Sequence, residues 1–154
     1  MRTTSLLILG LLQAATLALA APPDDHQRGL QAYHRGDVVG AIGLLRPPAQ
    51  AGHAPSQALL AFLLERADET TEAARWYRLA AEQDDPEGHA GLAQLLVSGR
   101  GVAKDEKAAA LHFSKAAARG HKPSAAVLAL AYRSGGLGLA PDPEAAARWQ
   151  AVSR

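Results

Sequence analysis

The chain has no cysteine, so no disulfide can form and no lipidated cysteine can follow an export signal; packing alone must hold the fold. Charge of one sign is missing too. The chain carries 16 Lys and Arg against 15 Asp and Glu, and removing Arg2 with the first twenty residues brings the two into balance. Nucleic acid and anionic lipid require clustered basic residues, so neither is expected as a partner. Aromatic residues amount to 5%, which makes each recurrence of a ring along the chain informative. No apolar run long enough to cross a bilayer stands out either: the stretch at 6–12 is interrupted by Gly10 and falls well short of about 20 residues.

That short run fits a secretory signal peptide over 1–20. Met1 and Arg2 supply the basic start, 6–12 the apolar centre, and Ala18-Leu19-Ala20 the small-x-small cleavage site, with the cut after Ala20. The mature protein is therefore expected in the bacterial periplasm or outside the cell, with no stable membrane anchor after cleavage; an uncleaved signal anchor is the minor reading. Residues 21–25 read as a short frayed leader of Pro and Asp. By size, 26–154 makes one domain.

Self-similarity dominates the remainder. Trp76, His112 and Trp149 lie 36 and 37 residues apart, a period expected of helical solenoids. An alanine stands three residues before each ring (Ala73, Ala109, Ala146) and an acid seven before it (Glu69, Asp105, Asp142). Acids suit the start of a helix, where the first amides have no intrahelical acceptor. The preceding half of each unit aligns Leu60-Ala61, Leu92-Ala93 and Leu128-Ala129, with Leu64, Leu96 and Tyr132 four residues after the leucine, on the same helical face.

These patterns predict four helix pairs: 27–35 with 38–51, 55–66 with 69–83, 86–97 with 105–119, and 123–133 with 143–152. Pro55, Pro86 and Pro123 open helices, and Gly52 and Gly120 close them. Pro47-Pro48 is expected to kink or interrupt the second helix, because proline removes an amide donor and clashes one turn back. The fold class is all-α, a curved α-solenoid in which stacked hairpins share an interior and leave one concave face. Its seams are assigned to Leu44, Leu45, Leu59, Leu60, Leu63, Leu79, Leu92, Leu95, Leu111, Leu128 and Leu130.

The third unit, Leu92-Ala93-x-Leu95-Leu96-x-x-Gly99-x-Gly101-Val102-x-x-Asp105 followed by His112-Phe113-x-Lys115-Ala116-Ala117-x-x-Gly120, resembles the Sel1-like repeat, a relative of the tetratricopeptide repeat. The second supplies Trp76-Tyr77-Arg78-Leu79-Ala80-Ala81, and the fourth Leu128-Ala129-x-x-Tyr132-x-x-Gly135 with Trp149. The first keeps only Ala32-Tyr33-x-x-Gly36-Asp37 and Ala49-x-x-Gly52, as a divergent opening unit. The Gly-x-Gly-Val turn favours this family over a plain tetratricopeptide repeat. The resemblance implies adaptor work, with a protein or peptide as partner.

Residue chemistry adds no catalytic, cofactor or metal assignment. The six histidines (26, 34, 53, 89, 112 and 121) show no i, i+4 pair beside a carboxylate, and His112 reads as filling an aromatic slot. The glycines at 98–101 and 134–138 follow no strand and lack the lysine-serine ending of a phosphate loop, so they read as turns. Asp24-Asp25 and Asp84-Asp85 read as caps or solvated pairs. No nucleophile stands with a base.

The leading function is therefore a non-enzymatic exported scaffold whose concave face, lined by first helices, binds a protein or peptide segment. Outward contacts are assigned to Gln57, Phe62, Glu65, His89 and Gln94. Trp149 joins them from the last helix: either that helix covers the core, or Trp149 and Val152 leave an apolar end that docks a partner or a second copy. The alternative class is a cell-envelope enzyme that binds or hydrolyses β-lactams, as some cysteine-rich Sel1-repeat relatives do. This sequence lacks both those cysteines and Ser-x-x-Lys.

Overall fold

The computed structural model describes residues 24–154, which form eight α-helices and, among the described residues, no strand. In chain order they are α1 (Asp25–His34), α2 (Val38–Gln50), α3 (Ala54–Arg66), α4 (Thr70–Glu82), α5 (Pro86–Ser98), α6 (Glu106–Ala118), α7 (Lys122–Ser134) and α8 (Pro143–Val152). The expected signal peptide at 1–20 lies outside the described residues, as do 21–23 of the leader. The rest of that leader is ordered: Asp24 caps α1 by accepting the Gln27 amide at 2.8 Å, and Asp25 is already helical.

Capping residues explain where the helices begin. Asp37, Asp85, Asp105 and Asp142 each accept an amide of the following first turn at 2.8–3.0 Å, which satisfies a donor that would otherwise have no partner. Prolines at the second position of α3 and α7 and the first of α5 and α8 need no amide there. Pro47-Pro48 does not interrupt α2; the helix runs through to Gln50. The two missing amides would have met the carbonyls of Gly43 and Leu44, and Gly43 is exposed, so water can serve its carbonyl.

Each odd-numbered helix pairs with the next to form a hairpin, and each hairpin packs on its successor; α3 also touches α5 directly. The five fully buried leucines Leu45, Leu60, Leu63, Leu95 and Leu128 hold these seams, each contributing about 1.5–3 kcal/mol. Between them alanines close the gaps: Ala73, Ala109 and Ala146 are buried in successive second helices, as the spacing predicted. Polar links cross units too. Ser56, fully buried, has its hydroxyl 3.0 Å from His26 Nδ1 and 2.7 Å from His53 Nδ1, tying α1 to the start of α3.

Three leucines assigned to seams are on the surface instead. Leu79, Leu111 and Leu130 are 42%, 56% and 60% exposed. Register explains it: Leu79 and Leu111 take helix positions that carry the exposed Lys115 and Arg75 in the neighbouring unit, and Leu130 matches Phe62 and Gln94. The three ring positions do share a register, since Trp76, His112 and Trp149 are each the seventh residue of their helix and each half-buried. Their partners differ. Trp76 Nε1 donates to Glu72 Oε1 at 3.1 Å, His112 faces His89, and Trp149 packs against the α5–α7 core. The deepest ring site is the following residue, where Tyr77 and Phe113 are buried.

The longer turn after α5 is shaped by contact with α4. Gly101 has φ of +68°, and a Cβ there would come within 2.3 Å of the Thr70 carbonyl oxygen, so only glycine lets this loop rest on the start of α4.

Candidate functional site

The first helices present a groove of about 490 Å³ that reaches from α1 across α3 and α5 to the start of α7. Its apolar floor comes from Tyr33, Ala58, Leu59, Phe62 and Ala90, and Gln94 stands at its edge. Repeat register builds the row: Phe62, Gln94 and Leu130 each follow directly on the aligned Leu-Ala pairs 60–61, 92–93 and 128–129. Exposed Leu130 and Val127 carry the same apolar line onto α7.

Beneath the floor lies Tyr77, buried, with its hydroxyl donating to Glu65 Oε2 at 3.1 Å. Burial pushes the phenol far above its ordinary range, and the negative charge of Glu65 adds to the effect. Gly91 makes room for this ring, since a Cβ at that position would lie 2.2 Å from Tyr77 Cε1 and Cζ. The tyrosine thus braces α3 to α5 from below.

Of the side chains assigned as contacts, two border the groove and a third lines the recess beside it. Phe62 is half-buried and packs edge-on against Tyr33, with ring centroids 5.9 Å apart. Gln94 is exposed, and Glu65 lines a smaller recess of about 380 Å³ that shares Phe62 and Gln94 with the groove. Gln57 and His89 do not point outward, and their assignment as surface contacts is corrected. Gln57 is 3% exposed, donating from Nε2 to the Ala49 carbonyl at 3.0 Å while its Oε1 accepts from Gln83 Nε2 at 2.9 Å. It serves as a polar bolt between α2, α3 and α4.

His89 is 1% exposed, its Nδ1 2.9 Å from His112 Nδ1. One of the two nitrogens must carry the proton and the other the lone pair, so the pair is held by complementary neutral tautomers. Burial lowers the affinity of both rings for a second proton, and the Asp84 carboxylate, 3.5 Å from His89 Nε2, only partly offsets this for His89. Trp149 lies away from the groove, half-buried on α8, while Val152 beside it is 45% exposed. No group of three or more His, Asp or Glu is arranged to hold a metal among the described residues.

Alignment by sequence alone missed Tyr33, Leu59, Arg66 and Arg100 as groove and recess residues. The signal was present in part: equal spacing from the Leu-Ala pairs marks Phe62, Gln94 and Leu130 as one row. The two arginines come from a helix end and from the variable position of the Gly-x-Gly-Val turn, neither of which recurs from unit to unit.

Comparison with known proteins agrees with this architecture. The family model described as Sel1 repeat matches residues 54–85, 86–121 and 124–149, which are the hairpins from α3 to α8. The α1–α2 hairpin lies outside those matches yet stacks in the same manner. An uncharacterised protein of Neisseria meningitidis serogroup B is 35% identical over 142 residues, covering 88% of this chain and 30% of that protein. The crystal structure of a Sel1 repeat protein from Oxalobacter formigenes superposes with a TM-score of 0.73 at 26% identity, over 84% of this chain and 54% of that one. A protective antigen of uropathogenic Escherichia coli with an SLR fold gives 0.75 at 23% identity, over 84% of this chain and 29% of that one, and shows the fold alone. The chain thus spans about half the length of one of these proteins and under a third of the other two. With three repeats matched in sequence and the stacked hairpins seen in space, the chain belongs to the Sel1 repeat family.

Proposed function

We propose that this chain is a non-enzymatic scaffold that holds a segment of another protein in the groove of its first helices. Repeats of this family serve in general as protein-interaction scaffolds, and the groove supplies what such a role needs: a preformed apolar floor with polar groups at its borders. The single observation that carries the reading is the continuity of that floor from Tyr33 through Leu59 and Phe62 to Ala90, across three successive hairpins. The signal-like character of 1–20 supports export to the periplasm or beyond, and fractionation with N-terminal sequencing of the mature chain tests it.

Blocking the groove tests the interaction. Gln94 is exposed and borders both the groove and the recess, so Gln94→Trp fills the space without disturbing the core. Leu111→Glu, on an exposed position of α6 that lines neither, is the control. Partner retention from envelope extract is expected to fall for Gln94→Trp and to persist for Leu111→Glu. Equal retention by both would refute the groove as the contact site.

A further inference from the structure

The groove is electrically uneven along its helix axes. Where α5 begins, Asp85, Glu87 and His121 border it; the Glu87 side chain is 69% exposed, with His121 Nε2 3.6 Å from its carboxylate. Where α3 ends, Phe62 and Gln94 lead into the recess lined by Glu65, Arg66 and Arg100. Arg66 holds its guanidinium 5.7 Å from the Phe62 ring centroid and belongs to no ion pair among the described residues. Arg100 reaches Glu65 at 3.5 Å and the 90%-exposed Asp68 at 3.2 Å, while Glu65 is shared with Tyr77. Within the groove one end thus sets two carboxylates against one imidazole, the Arg119 and Lys122 cations beyond Glu87 being held by Asp84 at 2.7 Å and by the Arg154 carbonyl at 2.8 Å. At the other end Arg66, unpaired among the described residues, stands beside Arg100, which Glu65 and Asp68 share. Seven residues of α5, about 10 Å, separate Glu87 from Gln94.

We propose that the segment taken by this groove is extended and carries a basic, an apolar and an acidic side chain at alternate positions. The base lies over Glu87, the apolar side chain on the floor at Leu59 and Phe62, and the acid between Arg66 and Arg100. This rests on the groove being the interaction site. In an extended chain residues i, i+2 and i+4 project from one face, and four steps cover about 13 Å, enough to pass the roughly 10 Å of α5 between Glu87 and Gln94 and enter the recess that Gln94 borders. Guanidinium groups accept a carboxylate through paired N–H donors, and a ring beneath Arg66 holds its plane in place. A segment with like charges at both ends meets its own sign at one of them.

Four capped pentapeptides, acetylated, amidated and fluorescently labelled, test this by anisotropy with the purified protein. The first has lysine, phenylalanine and glutamate at positions one, three and five with alanine between; the second has lysine at both ends, the third glutamate at both ends, and the fourth alanine in place of phenylalanine. The first is expected to bind about fivefold more tightly than the second or third, as one exposed ion pair allows, and the advantage is expected to shrink as salt shortens the Debye length from about 10 Å. Arg66→Glu should move the preference to the doubly basic peptide, and Glu87→Lys to the doubly acidic one. Equal binding of all four peptides, binding of none, or an unchanged preference in Arg66→Glu overturns the inference. Loss of partner capture by Gln94→Trp together with indifferent peptides leaves the groove reading standing and this one refuted; capture unaffected by Gln94→Trp removes both.

Discussion

Replacing Gly91 by alanine puts helix propensity and packing in direct opposition. Gly91 sits in the middle of α5, where alanine is favoured over glycine by about 1 kcal/mol. Its new methyl group, however, would stand 2.2 Å from two carbons of the Tyr77 ring. The ring cannot slide freely, because it is 4% exposed, packs with Leu92 and Leu95, and has its hydroxyl bound to Glu65. Overpacking costs about 1–3 kcal/mol, and a stretched or lost hydrogen bond adds about 1 kcal/mol. The net expectation is destabilisation by about 1–3 kcal/mol, read as a melting temperature lower by roughly 3–10 °C. Gly43→Ala is the matched control: that position is exposed in α2, an added methyl group would meet nothing within 4 Å, and the variant should gain stability. In a Tyr77→Leu background Gly91→Ala should lose its penalty, a coupling that a double-mutant cycle isolates. A Gly91→Ala protein that melts higher than the parent would refute the claim that Tyr77 is wedged beneath the groove.

Two further outcomes follow from buried polar groups. Gln57→Ala strips the Ala49 carbonyl and the Gln83 amide of a partner and should lower stability by about 2–3 kcal/mol, measured as a reduced urea midpoint; a change under about 0.5 kcal/mol would show that water replaces the amide. For pH, His26, His89 and His112 are all held below 6.5 in the folded chain, burial being the first cause in each. The unfolded chain therefore binds more protons between the folded values and 6.5, so stability is fully present above pH 6.5 and falls as pH drops below it. Melting scans at pH 7.5 and 5.5 should show this drop, and His112→Phe should reduce it; a drop of undiminished size would exclude the His89–His112 pair as a source.

Helix placement was legible because local signals agreed with one another. Of the three acids that spacing placed at helix starts, Asp105 and Asp142 make the cap hydrogen bond, as Asp37 and Asp85 also do, whereas Glu69 stands at the cap of α4 without one. The alanines at 73, 109 and 146 are buried as their spacing requires, because an i−3 relation to a half-buried ring fixes the face. Leu79, Leu111 and Leu130 show where hydrophobicity misleads: a leucine alone does not say which face it occupies, whereas its register against Arg75, Lys115 and Gln94 does. Gln57 and His89 fail in the opposite sense. A polar side chain is assigned to the surface until a partner from another helix is in view, and both partners of Gln57 come from other helices.

The sequence by itself determined the repeat, its period and the eight helices, since caps, turns and 3.6-residue periodicity are local properties carried by neighbouring residues. Tertiary structure decided which polar groups are buried and where the groove lies. Those depend on groups far apart in the chain arriving together: His89 against His112 across a hairpin, Arg100 against Glu65 across a unit boundary, and Tyr33 beside Phe62. The reason is physical. Burial and charge compensation are sums over everything within a few ångströms, and sequence order fixes those neighbours only after the hairpins have stacked.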